Sequence, residues 1–374
     1  MLRYNKHILG KFAANMDVRV LAYNALYELY SGVITPIAHE GAVLPNTIYV
    51  ETGSRCDGGC IDCYVPKEDR RDDIRLTGEN LIEIVETAGR IGVNYITILG
   101  GEPFHESNAD LNLRLIHDNP LMRFLVCTSA RGLEDAEVMD ELKKYVNFTP
   151  VFSFDGTERT NDIIRGKGSY SRSTRALKEF SESGKRMAGA IFTLRPENIN
   201  EVTDPTFLES VCSNGCYFIE FGPYYTTEKM HKIAPSEYAD AVYRLMQLST
   251  DIPVIIFSNH FGQLFGTEID LTNRLQSVNI DYRGNVYSAR RGESFGNVNK
   301  RKLIDILYDE NFQRLFNAKH VMLDAATVAD TDSRYPLLFW QTLGELKQKG
   351  VTVKTPTHEH MPQPQLSHVT HPSL

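Results

Sequence analysis

Three of the chain's six cysteines lie within one short stretch, "SRCDGGCIDCYVP", residues 54–66. Cys56, Cys60 and Cys63 follow a C-x3-C-x2-C spacing, and Gly58 and Gly59 stand between the first two. Clustered cysteines in a chain without a secretory signal are more often metal ligands or catalysts than disulfides. Three thiolates on one loop can occupy three corners of a metal site, and the glycines allow the backbone to wrap closely around it.

The number of thiolates narrows the choice of metal. A structural zinc site usually takes four protein ligands, but no fourth cysteine is near in the sequence, and the nearest histidine, His39, precedes the first predicted strand. A 4Fe–4S cluster held by three cysteines leaves one iron without a protein ligand, and that iron can bind a substrate or cofactor. A redox loop without a metal is the alternative interpretation.

The cysteine loop follows the first of six apolar runs that alternate with helical patterns. These predicted strands are "TIYVETG", "NYITILGGEPF", "MRFLVCTSARG", "FTPVFSFDG", "RMAGAIFTLRP" and "CYFIEFGPYY". Each strand–helix unit has roughly the length that a right-handed parallel crossover requires. Short apolar strands are typical of a sheet that is buried on both faces. The pattern predicts an α/β fold, a partial (βα)6 TIM-like barrel with its chemistry at the carboxyl ends of the strands.

The pattern changes after about residue 226, where a small α+β C-terminal extension with a turn at Gly284-Asn285 is predicted. The last residues are rich in Pro and His and have no periodicity, which indicates a disordered tail. The predicted segments are an N-terminal helical segment at 1–45, the partial barrel at 46–226, the extension at 227–320, a helical segment at 321–351 and the tail at 352–374.

Composition and charge limit the binding partners and the cellular compartment expected for this protein. The net charge of −8 gives no basic field for holding nucleic acid. No run of 18 or more apolar residues occurs, so no membrane span is expected. The N-terminus lacks the apolar core and small-residue cleavage site of a signal peptide, which predicts a cytoplasmic protein.

The cysteine loop after a first strand resembles that of the radical S-adenosylmethionine (radical SAM) superfamily. A second motif agrees, because "ILGGEPF", residues 98–104, is similar to that family's glycine-rich motif at the end of the second strand. The resemblance covers about residues 47–225. It implies one 4Fe–4S cluster held by the three cysteines, with S-adenosylmethionine (SAM) bound to the remaining iron.

The resemblance also implies which residues meet SAM at the second and third strands. Backbone oxygens of Gly100 and Gly101 and the side chain of Glu102 would contact the SAM ammonium group, a partner that suits a carboxylate. Thr128 or Ser129, at the end of the third strand, would contact the ribose hydroxyls.

A further match lies at the fourth strand. "FSFDGTERTNDIIRGKGSY", residues 152–170, is similar to a segment of the subfamily that includes peptide-modifying and sulfatase-maturing enzymes. The resemblance implicates Ser153 in SAM binding. Arg165 is expected either to pair with the SAM carboxylate or to lie on the surface.

Two departures from the family pattern are evident. The family usually has an aromatic residue just before the third cysteine, whereas this chain has Asp62 there and Tyr64 just after the cysteine. Residues 280–315 resemble the extension that carries auxiliary iron–sulfur clusters (SPASM or twitch) in that subfamily, but no cysteine follows Cys216. The extension is therefore predicted to keep its hairpin and helix without the metal.

Several other residues carry open interpretations. A carboxylate in a central strand is costly unless paired or functional, so Glu220 is expected either to meet a substrate inside the barrel or to be structural. Arg290 and Arg291 are hypothesised to help close the pocket, one facing an anionic substrate group; two solvated arginines are the alternative. Cys212 and Cys216 are expected to be buried thiols at the opposite end of the barrel. Further pocket candidates, each with a structural alternative, are Tyr224, Tyr225, Asn259 and His260.

Together these features predict a radical SAM enzyme. The resemblance implies that an external one-electron donor, such as flavodoxin or ferredoxin, drives cleavage of SAM to methionine and a 5′-deoxyadenosyl radical, which abstracts hydrogen from the substrate. The missing auxiliary cysteines favour redox-neutral chemistry: addition, rearrangement or epimerisation. The short segment before the barrel is too small for a leader-binding domain, which favours a small-molecule biosynthetic substrate. A peptide or protein substrate, and a non-catalytic iron–sulfur electron carrier, are the alternatives.

Overall fold

The computed structural model describes residues 42, 44–93, 95–183, 187–224, 233–258, 262–270, 277–287, 294–314 and 334–354. The predicted N-terminal segment and the predicted tail lie almost wholly outside these residues. Arg290, Arg291, Tyr225, Asn259 and His260 also lie outside them, so the predictions for these residues stay predictions. No helix in the described part of the chain is long and apolar enough to cross a membrane.

Strands and helices alternate along the described chain. The strands are β1 Thr47–Gly53, β2 Tyr95–Gly100, β3 Arg123–Thr128, β4 Phe148–Phe154, β5 Gly189–Leu194, β6 Phe218–Pro223, β7 Ile255–Ser258, β8 Gly262–Leu264, β9 Glu268–Asp270, β10 Ser277–Ile280, β11 Asn285–Tyr287, β12 Ser294–Asn297 and β13 Thr352–Lys354. The helices are α1 Lys67–Asp72, α2 Gly78–Arg90, α3 Ala109–Asp118, α4 Ala136–Leu142, α5 Glu158–Arg165, α6 Ser169–Glu182, α7 Ile199–Val202, α8 Pro205–Ser213, α9 Pro235–Leu248, α10 Leu303–Leu307 and α11 Arg334–Gln348.

The main sheet is dominated by parallel strands in sequence order. Among the described residues it has eleven strands, in the order β12-β11-β10-β1-β2-β3-β4-β5-β6-β7-β8. Each strand from β1 to β7 is parallel to the next. Successive strand–helix units produce this arrangement because each helix returns the chain to the same end of the sheet. The predicted α/β fold, a partial TIM-like barrel, is confirmed.

The extension shares the main sheet, which the sequence pattern did not indicate. Strand β7 pairs with β6, and β10 pairs in parallel with β1 on the other side of the barrel strands. Strands β11 and β12 then add to β10 as antiparallel neighbours. The physical reason is that β1 and β6 would otherwise be edge strands with unpaired backbone N–H and C=O groups.

The two faces of the sheet have different surroundings. Ile48 and Val50 of β1 and Ile96 and Ile98 of β2 are at most 2% exposed and belong to one core with residues of helix α2. The alternate residues along the same strands face the other way, and Tyr49, Glu51, Tyr95 and Leu99 are only partly buried. This second face is the interior of the partial barrel.

The extension also packs on helix α2. This helix starts with a capping box between Thr77 and Asn80, and the Asn80 side-chain amide donates to the Val298 carbonyl (3.1 Å). The Glu83 carboxylate accepts a hydrogen bond from the Leu303 backbone N–H (3.0 Å), at the start of helix α10. Helix α10 is therefore held beside the barrel by a carboxylate at its N-terminus, where the helix dipole favours negative charge.

Candidate active site

The predicted site residues lie at the same edge of the sheet. The cysteine loop follows β1, the Gly-Gly-Glu turn follows β2, and Ser129 follows β3. Ser153 is the penultimate residue of β4. Because β1 to β4 are parallel neighbours, their carboxyl ends converge at one edge, and the tertiary structure brings these motifs together.

The cysteine loop is tightly wound around Gly58. The Gly58 N–H donates to the Cys56 sulfur (3.2 Å). A Cβ at Gly58 would lie 3.0 Å from Cys56 Sγ, 3.8 Å from Cys60 Sγ and 3.8 Å from Arg131 Nε. Two sulfurs and a guanidinium nitrogen thus surround one point, and a side chain at residue 58 would fill the space between them.

Two thiols of this loop, Cys56 and Cys63, have raised pKa values, which favour the protonated form when no metal is bound. Burial raises the pKa of Cys56 to about 11, and the negative charges of Glu102 and of the other two cysteines act in the same direction. Burial also raises the pKa of Cys63, against the positive charges of Arg70 and Arg165. Since the thiolate is the ligand form, binding of a metal would have to displace these protons.

The donor set fits an iron–sulfur cube better than a single ion. The described residues include no group of three or more His, Cys, Asp or Glu side chains placed to hold one metal ion. A 4Fe–4S cluster makes a different demand, because each cysteine binds a different iron and the sulfurs stand further apart than the ligands of one zinc. Three half-buried thiols on one loop can each supply one ligand to a different iron of such a cluster.

The glycines after β2 allow the two loops to touch through their backbones. The N–H groups of Gly101 and Glu102 donate to the carbonyls of Gly53 and Arg55, both at 2.8 Å. A Cβ at Gly100 or Gly101 would collide with these carbonyl oxygens, and Gly100 has a φ of +123°. Glycine is therefore required here to seat the cysteine loop against the end of β2.

The carboxylate of Glu102 is buried and bonded to the end of β3. It is 2% exposed and accepts hydrogen bonds from the Thr128 hydroxyl (2.6 Å), the Ser129 hydroxyl (2.6 Å) and the Ser129 N–H (2.9 Å). Three predicted SAM-binding residues thus form one hydrogen-bonded group. In this arrangement the Glu102 side chain fixes the ends of two strands, and the contact of Glu102 with a SAM ammonium group stays a prediction.

Arg165 is mostly buried, with a side chain that is 17% exposed, so the surface alternative does not describe it. Its Nε lies 2.7 Å from Asp155 Oδ2, just after β4. Burial alone would lower the pKa of Arg165, but the negative charge of Asp155, together with Cys60 and Cys63 as thiolates, raises it. The guanidinium group therefore stands near the cysteine loop, as binding to an anionic cofactor group there would require.

Glu220 faces the interior of the barrel. It is half-buried and lies in one row of the sheet with Ile191 and Ser153. Burial raises the pKa of Cys127 on β3 and of Tyr95 on β2, and in both cases the charge of Glu220 adds to the effect. These effects indicate that the Glu220 carboxylate lies on the same face of the sheet as Cys127 and Tyr95.

The second cysteine pair lies at the other end of the barrel, as predicted. Cys212, in the last turn of α8, is only partly buried, so the prediction of a buried thiol is wrong there. Cys216 precedes β6 and is 4% exposed, as predicted. Burial raises the pKa of Cys216 well above its usual range. None of the described cysteines forms a disulfide.

One group at this edge was missed from the sequence. Asp62, which occupies the family's usual aromatic position, forms an ion pair with Nη1 of Arg195, the residue after β5. The Arg195 guanidinium carbon lies 4.2 Å from the centroid of the Tyr224 ring, just after β6. The group joins the cysteine loop to the ends of β5 and β6. Its residues are too far apart in the sequence for spacing to reveal it.

A second missed contact joins the cysteine loop to the segment after β2. Nε2 of His105 lies 3.0 Å from Asp57 Oδ2, and His105 is 9% exposed. The signal available in the sequence was a histidine directly after the glycine-rich motif, which spacing alone did not link to Asp57.

The extension touches the segment that follows the cysteine loop. The Tyr282 hydroxyl donates to Asp69 Oδ2 (2.5 Å), and the Arg283 guanidinium donates to Asp69 Oδ1 (2.6 Å). Asp69 lies on α1, and its neighbour Arg70 donates to the Gly58 carbonyl (2.9 Å). A turn of the extension is thus linked through one short helix to the cysteine loop.

Comparison with known proteins identifies the domain that carries this geometry. The family model of the radical SAM superfamily matches residues 50–204, which include the last four residues of β1, the cysteine loop and strands β2 to β5. The chain contains a radical SAM domain. The match to this family model supports an enzyme, and the family implies SAM and a 4Fe–4S cluster as the cofactors of such a domain.

Two curated relatives match part of this chain over part of their own length. A protein of Archaeoglobus fulgidus is 29% identical over 157 residues, which cover 42% of this chain and 36% of that protein. The mycofactocin maturase MftC of Mycolicibacterium smegmatis is 26% identical over 151 residues, which cover 40% of this chain and 38% of MftC. The chain therefore matches little more than a third of the length of either relative.

Solved structures share the fold beyond the radical SAM domain. SuiB of Streptococcus suis bound to S-adenosylmethionine has a TM-score of 0.60 at 16% identity, over 76% of this chain and 72% of SuiB. The protein anSMEcpe with bound AdoMet and the Cp18Cys peptide has a TM-score of 0.55 at 13% identity, over 81% of this chain and 95% of that one. The comparison supports the partial barrel, while the likeness of residues 280–315 to an auxiliary-cluster extension stays a prediction.

Proposed function

We propose that this protein is a radical SAM enzyme that uses one 4Fe–4S cluster, held by Cys56, Cys60 and Cys63, to start a hydrogen abstraction. The observation that carries the proposal is the contact of the cysteine loop with the Gly-Gly-Glu turn. Two backbone hydrogen bonds join them, from Gly101 to Gly53 and from Glu102 to Arg55.

The chain's own residues would bind and orient the cofactors. The three thiols lose their protons when they become ligands. Arg165, held by Asp155, provides a fixed positive charge for the SAM carboxylate. Ser153 and the residues around Gly100 line the same edge as further SAM-binding groups. When bound, the cluster and SAM supply a 5′-deoxyadenosyl radical after reduction by an external one-electron donor such as flavodoxin or ferredoxin.

The substrate would enter the barrel interior above Glu220. Glu220 offers a carboxylate to a hydrogen-bond donor or a cation on the substrate, and the surrounding barrel excludes water from the radical. Arg290 and Arg291 are proposed to face an anionic substrate group. Residues 280–315 contain no cysteine and so offer no thiolate ligand for an auxiliary cluster, and we propose a redox-neutral outcome.

Two substrate classes remain candidates. A small-molecule biosynthetic substrate was favoured by the sequence, but the comparisons supply an observation in favour of a peptide. One neighbour is SuiB bound to the precursor peptide SuiA, another is anSMEcpe with a bound peptide, and MftC is named a maturase. We therefore propose a peptide or protein substrate as a full second candidate.

The test of the reaction class is SAM cleavage by anaerobically reconstituted protein. The wild type should hold about four iron atoms per chain and should form 5′-deoxyadenosine when a reductant is added. Replacing Cys56, Cys60 and Cys63 together by alanine should remove both properties. The matched control, Cys212→Ala with Cys216→Ala, should keep both. A cluster without any 5′-deoxyadenosine would favour the electron carrier instead.

A further inference from the structure

Guanidinium groups from three different elements surround the cysteine loop. Arg70 of α1 is 8% exposed and donates to the Gly58 carbonyl (2.9 Å). Nε of Arg131, three residues after β3, lies within 4 Å of the same point beside Gly58 as the Cys56 and Cys60 sulfurs. Arg165 of α5 interacts electrostatically with Cys60 and Cys63. We call Arg70, Arg131 and Arg165 the arginine cradle.

Two members of the arginine cradle have unused donors. The Nε atoms of Arg70 and Arg131 are buried and have no hydrogen-bond partner within the part of the chain that the structure describes. A buried donor without an acceptor is destabilising, so folding alone does not explain the two unused Nε atoms. Their position indicates an acceptor that is supplied from outside the polypeptide.

The charges around the arginine cradle also indicate an anion. The pKa of Arg172 on α6 is lowered, first by burial and second by the positive charge of Arg131. Glu134 compensates Arg172 only at long range, with 3.9 Å between the charged atoms. The Glu102 carboxylate also opposes the effect of Arg131 on Arg172. A further negative group beside the cysteine loop would reduce the remaining repulsion between the two arginines.

The cofactor of the proposed function has the required charge. An iron–sulfur cube with three thiolate ligands is net negative, and it becomes more negative when it gains an electron. Net charge and hydrogen bonds to the sulfurs are among the factors that set the reduction potential of such clusters. Positive groups close to the sulfurs favour the reduced state.

We propose that the arginine cradle stabilises the reduced state of the cluster bound to Cys56, Cys60 and Cys63, and so raises its reduction potential. Arg131 is the central member because its Nε and two of the three sulfurs border the same space beside Gly58. The inference rests on the proposed function, since it concerns the cluster of that same site. These arginines are positioning residues and take no part in bond breaking.

The test is a redox titration of the cluster in the absence of SAM, followed by electron paramagnetic resonance. Arg131→Met should make reduction at least tenfold less favourable, which is a shift of 59 mV to more negative potential for a one-electron couple. Arg131→Lys, which keeps the charge, should recover most of that shift. The matched control is Arg175→Met, because Arg175 pairs with Glu134 on the surface and is 65% exposed; its potential should equal that of the wild type.

Iron content is measured first, so that only proteins with equal cluster loading are compared. Equal potentials for Arg131→Met and wild type would overturn the proposal. A difference that appears only after SAM is added would also overturn it, because Arg131 would then serve the SAM carboxylate. If the Met and Lys variants both lost the iron, the role of Arg131 would be steric and the proposal would be wrong. If only the Met variant lost it, the requirement for charge would be supported.

The outcome is separable from that of the proposed function. A wild type that holds the cluster but never cleaves SAM would end the proposed enzymatic function, while the comparison of potentials would still be informative. If the wild type cleaves SAM and the Arg131 variants have unchanged reduction potentials, the proposed function stands and the proposed role of the arginine cradle is wrong.

Discussion

The carboxylate of Glu102 accepts hydrogen bonds from both the backbone N–H and the hydroxyl of Ser129. This pairing fastens the turn after β2 to the end of β3, at the edge where the cysteine loop also lies. A residue that the family resemblance assigns to SAM is therefore also a structural support of the site. Both roles are open to measurement.

Changing Glu102 to alanine should reduce stability and weaken SAM binding. Loss of the carboxylate leaves the buried Thr128 and Ser129 donors unpaired, at a cost of roughly 1–3 kcal/mol in the free energy of unfolding. Iron content should be unchanged, because no metal ligand is lost. Denaturant unfolding and the spectral change of the cluster on SAM addition measure the two effects. Glu106→Ala, at an exposed neighbouring position, is the control, and equal behaviour of both variants would contradict the prediction.

The Asp62–Arg195 pair should show a large coupling energy. Arg195 is 6% exposed, so Asp62→Ala leaves a buried charge unpaired, which costs about 3–5 kcal/mol. The further change Arg195→Met should recover part of this loss, because the unpaired charge is removed. A double-mutant cycle of unfolding free energies measures the coupling. Asp72→Ala, at an exposed position on α1, should have almost no effect. Additive effects of the Asp62 and Arg195 changes would show that the pair contributes nothing.

The space beside Gly58 should be needed for assembly of the cluster. Gly58→Ala would place a methyl group 3.0 Å from Cys56 Sγ, closer than carbon and sulfur normally approach, so the loop must shift and iron content should fall well below that of the wild type. Gly89→Ala is the matched control, because nothing lies within 4 Å of a Cβ at this position in α2. Its stability should rise by up to about 1 kcal/mol, with full iron content. Normal loading of Gly58→Ala would mean that the loop is more compliant than its geometry indicates.

The contact between the extension and α1 should stabilise the cysteine loop. Tyr282→Phe combined with Arg283→Met removes two donors to Asp69, and about 1–2 kcal/mol of stability should be lost because Arg283 is itself half exposed. Release of iron to a chelator should be faster in this variant. Arg301→Met, which removes an ion pair with Asp309 elsewhere in the extension, is the control. Identical release rates in both variants would show that the turn and the loop are not coupled.

Acid should weaken the turn that joins α5 to α6. Burial alone would raise the pKa of Asp162, but hydrogen bonds from the Tyr170 and Gly168 N–H groups, and from Ser169 and Asn161, lower it below the usual 3.8. A lowered pKa in the folded state means that the stability from Asp162 is present above pH 3.8 and is lost as the pH falls through the folded value. Asp162→Asn should therefore reduce the free energy of unfolding at neutral pH. The further decrease in that free energy at acid pH should be smaller than in the wild type. Asp110→Asn, at an exposed position, should leave the pH dependence of unfolding unchanged.

The sequence by itself determined the order of the strands and the cysteine motif. Apolar runs alternating with helical patterns are local signals, and the parallel order of β1 to β6 follows from them. The C-x3-C-x2-C loop and "ILGGEPF" were recognisable because the residues of each motif are adjacent in the chain. Their meeting at one edge could be expected, since the carboxyl ends of parallel strands converge.

The tertiary structure alone decided which side chains pair across that edge. Asp62 meets Arg195, 133 residues away, and Asp69 meets Tyr282, 213 residues away. It also decided that β7 and β10 extend the barrel sheet. The hydroxyls of Thr128 and Ser129 donate hydrogen bonds to the carboxylate of Glu102, which only the tertiary structure shows. Such contacts depend on the register and neighbours of strands distant in sequence, and no local spacing or periodicity encodes them. The ligands of the cysteine loop are thus evident from residues adjacent in the sequence. The charged groups around the loop come together only when the sheet has formed.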